Sequence, residues 1–386
     1  MEPNPDLRFP DEVLSGAAGA FADVYGEYLE VPKHFLFMAY LTCLGSLVAD
    51  QLTLASELKP QPRFYTLLLG ESADDRKSTA ISKTVSFFEE AAPNGLPVCW
   101  GVGSAEGLQK KLQKGTRLVL CLDEFKSFVG KCKIKSSVLL PCVSSLFEQN
   151  RYESQTSDRE IVLDGVYLSL LAASTIHTYE NTWSPEFTDI GLPNRLWLVP
   201  GGAIRKFPIP RMIPEEARLT LKDQLRGVLR HIRDNGELDL TPEAREIYDA
   251  WYFGREASIH GKRLDTYALR LMILLATNRL KPNVDAETVR DVIALCNHQH
   301  QLRRLYDPID ADNKVAAAEE KIRRVLKVRN EATTRDLKRA LNTNRVGNWM
   351  YDMAIKNLLG AKEIQVSRKT GRYSLTEAAY GFEAES

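Results

Sequence analysis

Four short apolar runs, Phe64–Leu69, Leu118–Leu122, Tyr167–Ala173 and Leu196–Val199, constrain the fold of this chain more than any other feature. A strand with one face in water alternates apolar and polar residues. A run that is apolar at nearly every position has both faces covered, the condition of strands in a parallel sheet flanked by helices. Helical stretches separate the runs, so the spacing predicts an α/β sheet within about residues 61–210. Before the first run lie an amphipathic segment near Val13–Leu29 and an apolar one, Phe35–Val48, parted by Val31-Pro32. The apolar segment is interrupted by Thr42, Gly45 and Ser46; it is too short to span a bilayer and suits a buried helix. After the last run the apolar spacing turns helical over Leu219–Ile232, Ala244–Phe253, Tyr267–Leu280 and Ala286–Leu295. The stretch from Asp307-Pro308 to Asp312 has the composition of a linker. The chain is thus expected to divide into an N-terminal helical segment packed on the core (1–60), an α/β core (61–210), a helical region (211–306), a small C-terminal domain (313–376) and a tail (377–386).

The first run leads into the most informative segment, Leu67-Leu68-Leu69-Gly70-Glu71-Ser72-Ala73-Asp74-Asp75-Arg76-Lys77-Ser78-Thr79. A strand, a loop and a helix opening on Lys-Ser-Thr is the layout of a P-loop. There, backbone N–H groups and the helix N-terminus cradle phosphates, the lysine reaches the β- and γ-phosphates, and the hydroxyl holds Mg²⁺. Lys77 and Ser78 are the candidates for those two roles, with Gly70, Arg76 and Thr79 completing the nucleotide-binding stretch. The loop is one residue longer than GxxxxGK[ST], Arg76 stands at the second glycine, and Asp74 and Asp75 put negative charge where phosphate is expected. A plain helix N-terminus, with acids favoured by its dipole, has the same composition.

The second run ends in Asp123-Glu124, 46 residues after Lys77, at the strand edge where ligands of open α/β sheets gather. Asp123 would hold Mg²⁺ through water and Glu124 would polarise an attacking water. By itself such a pair also suits a strand-end turn; together with Lys77 and Ser78 it points to ATP hydrolysis. The third run, interrupted only by Ser169, ends in Ser174-Thr175, whose hydroxyl could orient that water or cap the next helix. Before the fourth run, Arg195 is either a surface residue or a finger reaching a neighbouring subunit's γ-phosphate.

Charge as a whole excludes no partner, since 51 Lys and Arg balance 51 Asp and Glu, but it is unevenly spread. Residues 314–376 hold fifteen Lys or Arg against six Asp or Glu, a net charge of +9. Helical patterns there cover Lys314–Val328, Thr333–Leu341 and Arg345–Leu359, followed by Glu363–Ser367 and Tyr373–Leu375 flanking the basic tip Arg368-Lys369-Thr370-Gly371-Arg372. Three helices and a hairpin resemble a winged helix, with Arg345, Arg368, Lys369 and Arg372 as candidate DNA contacts. A winged helix used for protein contacts has the same pattern. The six cysteines, Cys43, Cys99, Cys121, Cys132, Cys142 and Cys296, fall at no metal-ligand spacing and include no CxxC pair. They read as reduced thiols, and with no basic, apolar leader in MEPNPDLRFPDEV the expected location is the cytoplasm, with no membrane partner.

The run GESADDRKSTA resembles the RKS/RKG-type P-loop of helicase-like ATPase modules of phages and integrated mobile elements. GVGSAEGL (101–108), LCLDEF (120–125) and GLPNRLWLVP (191–200) are similar to later blocks of that family. The block order, over about residues 30–300, also resembles the ring-forming ATPase core of minichromosome-maintenance helicases. The resemblance implies an AAA+/RecA-like P-loop NTPase core with a helical lid, binding ATP and Mg²⁺ between the subunits of a homo-oligomeric ring, with a hexamer the expected form. It implies Thr175 as the sensor, Arg195 as the trans-acting finger and Arg263 or Arg270 as a second arginine at the nucleotide. It further implies that Arg151 to Val162 form a hairpin facing DNA, where Arg151, Arg159 or the nearby Lys131, Lys133 and Lys135 touch phosphate; a solvated loop carries the same charge run. Residues 1–60 do not read as the helicase pattern's N-terminal collar, and a fused primase is not expected. A helicase or translocase therefore stands beside a non-hydrolysing or switch-like DNA-binding regulator, for example in anti-phage defence.

Overall fold

All four apolar runs are strands of one sheet. The computed structural model describes residues 7–71, 75–92, 94–156, 159–183, 187, 190–203, 206–255, 257–309 and 314–376. In chain order the elements begin α1 (Gly16–Leu29), α2 (Lys33–Leu47), β1 (Thr53–Leu54), β2 (Tyr65–Gly70), α3 (Lys77–Ala91), β3 (Val98–Trp100) and α4 (Ala105–Lys114). There follow β4 (Arg117–Leu122), α5 (Phe125–Cys132), α6 (Leu139–Glu148), β5 (Tyr152–Thr156), β6 (Arg159–Leu163), β7 (Tyr167–Thr175), α7 (Ile176–Glu180) and β8 (Trp197–Pro200). Next are α8 (Glu215–Asp234), β9 (Glu237–Leu238), α9 (Pro242–Gly254), α10 (Leu264–Asn278) and α11 (Ala286–Tyr306). Contacts divide the chain into two compact units, residues 9–299 and a second made of 1–8 with 300–386.

The sheet is five-stranded and wholly parallel, in the order β3-β4-β7-β2-β8. β2 lies inside it with all six residues buried, which is why its sequence carries no alternation. Its register sets Gly70 opposite Thr175 and Thr66 opposite Trp197. The two faces are told apart by neighbouring side chains of β2, which point to opposite sides. Thr66 Oγ1 lies 2.6 Å from Thr42 Oγ1 of α2, whereas the Tyr65 hydroxyl donates to the Val143 carbonyl of α6 at 2.8 Å. Helices α2 and α6 therefore cover opposite faces. Helix α2 is apolar on every side and is a buried helix, as its composition predicts. Gly45 lets it close on the chain at Pro62, since a Cβ there would stand 1.9 Å from the Pro62 carbonyl oxygen. Phe21, Tyr25, Tyr40, Phe87 and Phe88 join α1, α2 and α3 through ring contacts of 4.2–6.2 Å. Among the described residues no helix is long and apolar enough to cross a membrane.

The second unit contains α12 (Lys314–Arg329), α13 (Thr334–Ala340), α14 (Thr343–Val346), α15 (Asn348–Gly360) and the antiparallel pair β10 (Ile364–Val366) and β11 (Tyr373–Leu375). Ala332 bridges Tyr373, adding a third short strand segment. Ile322, Leu326, Leu337, Ala354, Leu358 and Leu375 lie in its core, to which Leu305 at the end of α11 also contributes. Thr333 and Asp336 form a capping box at the start of α13, worth about 1 kcal/mol. The helical pattern from Arg345 to Leu359 is not one helix. Gly347, at φ +89°, breaks it, leaving Arg345 on the single turn α14 and starting α15 at Asn348.

Candidate functional site

At the C-terminal edge of the sheet, β2 hands the chain to the loop before α3. Asp75 is buried there, and its carboxylate accepts hydrogen bonds from the Glu71 N–H and, at 3.1 Å, from the Ala203 N–H beyond β8. Gly70 is required at this point, since a Cβ would fall 2.5 Å from Asp75 Oδ2. Arg76 takes a left-handed conformation (φ +54°) as the residue before α3, so the chain turns sharply into the helix. Its guanidinium pairs at 3.0 Å with Glu30, a buried carboxylate that also accepts the N–H groups of Phe207 and Lys206. Those two N–H groups, then Arg76, hold Glu30 below the ordinary carboxylate range. The Lys77 ammonium reaches back to the Glu71 carbonyl; burial lowers its pKa while Asp75 and Glu71 oppose that shift. Ser78 is exposed and Thr79 half-buried in the first turn of α3, where N–H groups have no partner within the helix. Asp74 lies outside the described residues.

Asp123 and Glu124 leave the end of β4 and are exposed, with the Ser127 hydroxyl donating to Glu124 at 3.2 Å. Because β7 separates β2 from β4, the two strand ends are two strand spacings apart, roughly 10 Å. Among the described residues no three or more His, Cys, Asp or Glu gather to hold a metal. A metal here would need a hydroxyl, water or phosphate oxygens as further ligands, which is the coordination Mg²⁺ favours. Thr175 ends β7 on the same edge, level with Gly70. Its hydroxyl accepts the Thr178 N–H at 3.0 Å and donates to Thr178 Oγ1 at 2.8 Å, so it caps α7.

The arginines lie at the other end of the sheet. Arg195 precedes β8, and with Trp197 opposite Thr66 it sits a strand's length from Gly70, roughly 20 Å. It is buried, and its Nη1 donates to the carbonyls of Ile190 (2.6 Å) and Gly191 (3.0 Å). Arg270 is buried in the core under the sheet, donating to the carbonyls of Phe147 (2.6 Å) and Arg63 (2.9 Å) and stacking 4.1 Å from the Phe147 ring. Burial draws its pKa down to about 10, still charged at neutral pH, and backbone carbonyls take up two of its nitrogens. Arg263, at φ +64°, precedes α10 and pairs with Glu148, the last residue of α6. Glu148 also lies 3.7 Å from Arg195 Nε. Arg63, which sequence reasoning did not single out, grips the same helix end through the carbonyls of Leu146 (2.7 Å) and Gln149 (3.0 Å). Four arginines from distant parts of the chain thus converge on residues 146–149. The one signal that could have found the centre is Glu148 itself, an acid at a helix C-terminus where the macrodipole disfavours it.

No family model matches the chain, and no curated protein matches it.

An antiparallel hairpin, β5–β6, stands where residues 151–162 were expected to form one. Arg151 is exposed on it and paired with Glu153. The side chains of Arg159 and Arg345 are outside the described set. Lys131 and Lys135 are exposed, while Lys133 donates to the Thr182 carbonyl at 2.9 Å. In the second unit, acids and arginines pair mainly along α12: Arg323 with Glu363 (2.5 Å), Arg324 with Glu320 (3.0 Å) and Arg329 with Asp336 (3.7 Å). Arg368, Lys369 and Arg372 are exposed at the turn between β10 and β11, Arg372 lying 3.4 Å from Glu331. α15 exposes Trp349, Met353 and Lys356, one helical face that the charge count does not register. A surface depression of about 650 Å³ lined by Gly16, Thr220, Asp223, Asn278 and Arg279 contains none of these candidates.

Proposed function

We propose that the chain is an ATP-dependent ring ATPase acting on DNA, a helicase or translocase with an AAA+/RecA-like P-loop core, a helical lid and a C-terminal winged helix. The observation that carries this reading is the common sheet edge shared by Lys77 and Ser78 after β2, Asp123 and Glu124 after β4, and Thr175 after β7. On this reading Lys77 and Ser78 hold the phosphates and Mg²⁺ of ATP, and Asp123 binds that ion through water. Glu124 polarises the attacking water, with Thr175 as sensor beside it. The distance from Arg195 to that edge supports a finger acting on a neighbouring copy, since its side chain cannot span roughly 20 Å. A net charge of +9 on a unit of three main helices and a hairpin supports duplex binding there.

One observation favours a second reading, a switch that binds nucleotide without hydrolysing it. Asp75 already supplies a carboxylate to the Glu71 N–H that a phosphate would be expected to use. An ATPase assay with and without single- and double-stranded DNA separates the two. We expect DNA-stimulated turnover in the wild type, no nucleotide binding by Lys77→Ala, and binding without turnover by Glu124→Gln, a loss of about 10²–10⁴-fold. Equal nucleotide affinity for wild type and Lys77→Ala would remove the P-loop assignment, and wild-type binding without turnover would select the switch.

A further inference from the structure

Among the described residues the four most exposed large apolar side chains are Met212, Leu58, Phe253 and Ile209, and three of them lie on two surfaces of opposite charge. The first surface is the outer face of α9, a helix that carries Tyr248, Trp251, Tyr252 and Phe253 yet buries only Ala244. Trp251 faces the protein, its Nε1 donating to Asn297 of α11 at 3.0 Å. Glu246, Asp249 and Phe253 stand at i, i+3 and i+7, so they share one face, turned away from Trp251. Phe253 is 81% exposed there and both carboxylates are exposed, while Arg245, the nearest cation on the helix, is engaged at 3.1 Å by Asp239. The second surface is the segment 206–214 between β8 and α8, Lys206-Phe207-Pro208-Ile209-Pro210-Arg211-Met212-Ile213-Pro214, with two cations, three prolines and no acid. Its backbone is pinned: the N–H groups of Lys206 and Phe207 donate to Glu30, that of Arg211 donates to the Tyr28 carbonyl at 3.0 Å, and Ile213 is buried. Ile209 and Met212 nevertheless stand 79% and 87% exposed, beside exposed Lys206 and Arg211. None of Glu246, Asp249, Lys206 and Arg211 has an ion-pair partner among the described residues.

We propose that segment 206–214 of one copy docks on the outer face of α9 in a second copy, Ile209 and Met212 packing on Phe253 while Lys206 and Arg211 meet Glu246 and Asp249. Closure of such contacts into a ring rests on the ATPase reading; the contact itself does not. Charge decides the geometry, because like surfaces repel: two α9 faces bring acids together and two 206–214 segments bring cations together. A symmetric two-fold pairing of either surface is therefore disfavoured, and the head-to-tail contact that remains repeats from copy to copy. The pinned, proline-rich backbone loses little freedom on docking, so more of the gain from covering the apolar side chains is kept. Glu246 and Asp249 make the α9 face a poor one for nucleic acid, whose phosphates they repel. The segment also follows the strand whose continuation bonds to the Lys77 edge, with the Gly201 N–H donating to the Leu69 carbonyl at 2.9 Å and the Ala203 N–H to Asp75. Docking on it places the second copy's α9 near that edge.

The test is sedimentation velocity of the full chain with ATP and Mg²⁺ over a range of protein concentrations. One variant reverses α9, Glu246→Lys with Asp249→Lys; the other reverses the segment, Lys206→Glu with Arg211→Glu. The wild type should assemble, and each variant alone should self-associate at least about tenfold more weakly, because its two surfaces then carry the same sign. Mixed in equal amounts the two variants should regain wild-type association, since each reversed surface meets its complement, and a chain with all four reversals should assemble by itself. Should the segment variant not fold, Phe253→Ser, at an exposed position of α9, should weaken association by a similar factor. Wild-type assembly that both variants reproduce unchanged would place the contact elsewhere and leave the ring standing. Association lost by the variants and not regained on mixing would equally overturn the contact. Open-ended growth of the wild type, abolished by either variant and restored by the mixture, would keep the contact and remove the ring. A wild type that stays monomeric throughout would remove both.

Discussion

At the C-terminal ends of β2 and β4, on a loop and first turns, Ser78, Asp123 and Glu124 are exposed and Lys77 is half-buried. At the N-terminal ends of β2 and β8 the charges are buried and fastened, with Arg63, Arg195 and Arg270 each donating to two backbone carbonyls. The same sheet therefore has one edge where exposed groups, beside the buried Asp75, can change partners at little cost, and one whose arginines cannot. A ligand that comes and goes suits the first, because exposed side chains exchange water for ligand without leaving buried groups unpaired. The second edge suits a task that needs fixed charge. A guanidinium held by its own loop is already oriented, so it loses little freedom when it meets a phosphate on another molecule. On the proposed function, the soft edge of one copy faces the stiff edge of the next.

The largest effect that can break this comparison concerns Arg195. If the stiff edge serves the neighbour's soft edge, Arg195→Ala should lower turnover by about 10³–10⁵-fold when alone. Mixed with Glu124→Gln subunits, which keep Arg195 and lack only their own water-polarising group, it should regain activity. Steady-state ATPase of the mixture against each variant alone is the measurement. Activity of Arg195→Ala equal to wild type would make the residue a brace of its own loop and nothing more.

Arg270 sharpens the contrast from the other side, through stability. Arg270→Met removes the donors to the Phe147 and Arg63 carbonyls and leaves both buried acceptors unpaired, which should cost roughly 2–4 kcal/mol. Urea denaturation reads that loss, while nucleotide affinity at Lys77 should stay within about twofold. Unchanged stability with lost nucleotide affinity would return Arg270 to the nucleotide site and dissolve the distinction between the edges.

The soft edge was legible in the sequence and the stiff edge was not, for a physical reason. Asp123 and Thr175 stand within two residues of apolar runs and Lys77 one loop beyond another, and a run with both faces buried announces where a parallel strand ends. β3 escaped notice because three residues, one of them exposed, give no such signal. An arginine in a loop or on a helix reads the same whether it points to water or into a core, so Arg195, Arg263 and Arg270 could be named but not oriented. Glu148, Glu30 and Asp75 owe their roles to partners as far as 177 residues away, which no local pattern carries. Thr175 was open between a sensor and a helix cap, and the cap is what its hydrogen bonds make. In the second unit the amphipathic pattern ran through Gly347, whose positive φ divides the helix.

The smallest effect concerns the exposed basic turn of the second unit, a third kind of charge that is not fastened in a core. Gly371 at φ +66° and the bonds between Ser367 and its partners Gly371 (2.8 Å) and Arg372 (2.9 Å) tighten this turn and hold Arg368 and Lys369 outward. Arg372 is partly engaged by Glu331 at 3.4 Å, so it should contribute less than the other two. Neutralising all three should remove two to about three phosphate contacts and reduce the slope of log K against log salt by roughly 0.9 for each. ATP turnover without DNA should barely move, since none of the three belongs to the sheet edge. A salt titration of duplex binding, comparing the triple variant with wild type, decides the matter. An unchanged slope would mean that the turn does not touch the backbone, and the face carrying Trp349, Met353 and Lys356 on α15 would then be the next surface to test for contact with a protein.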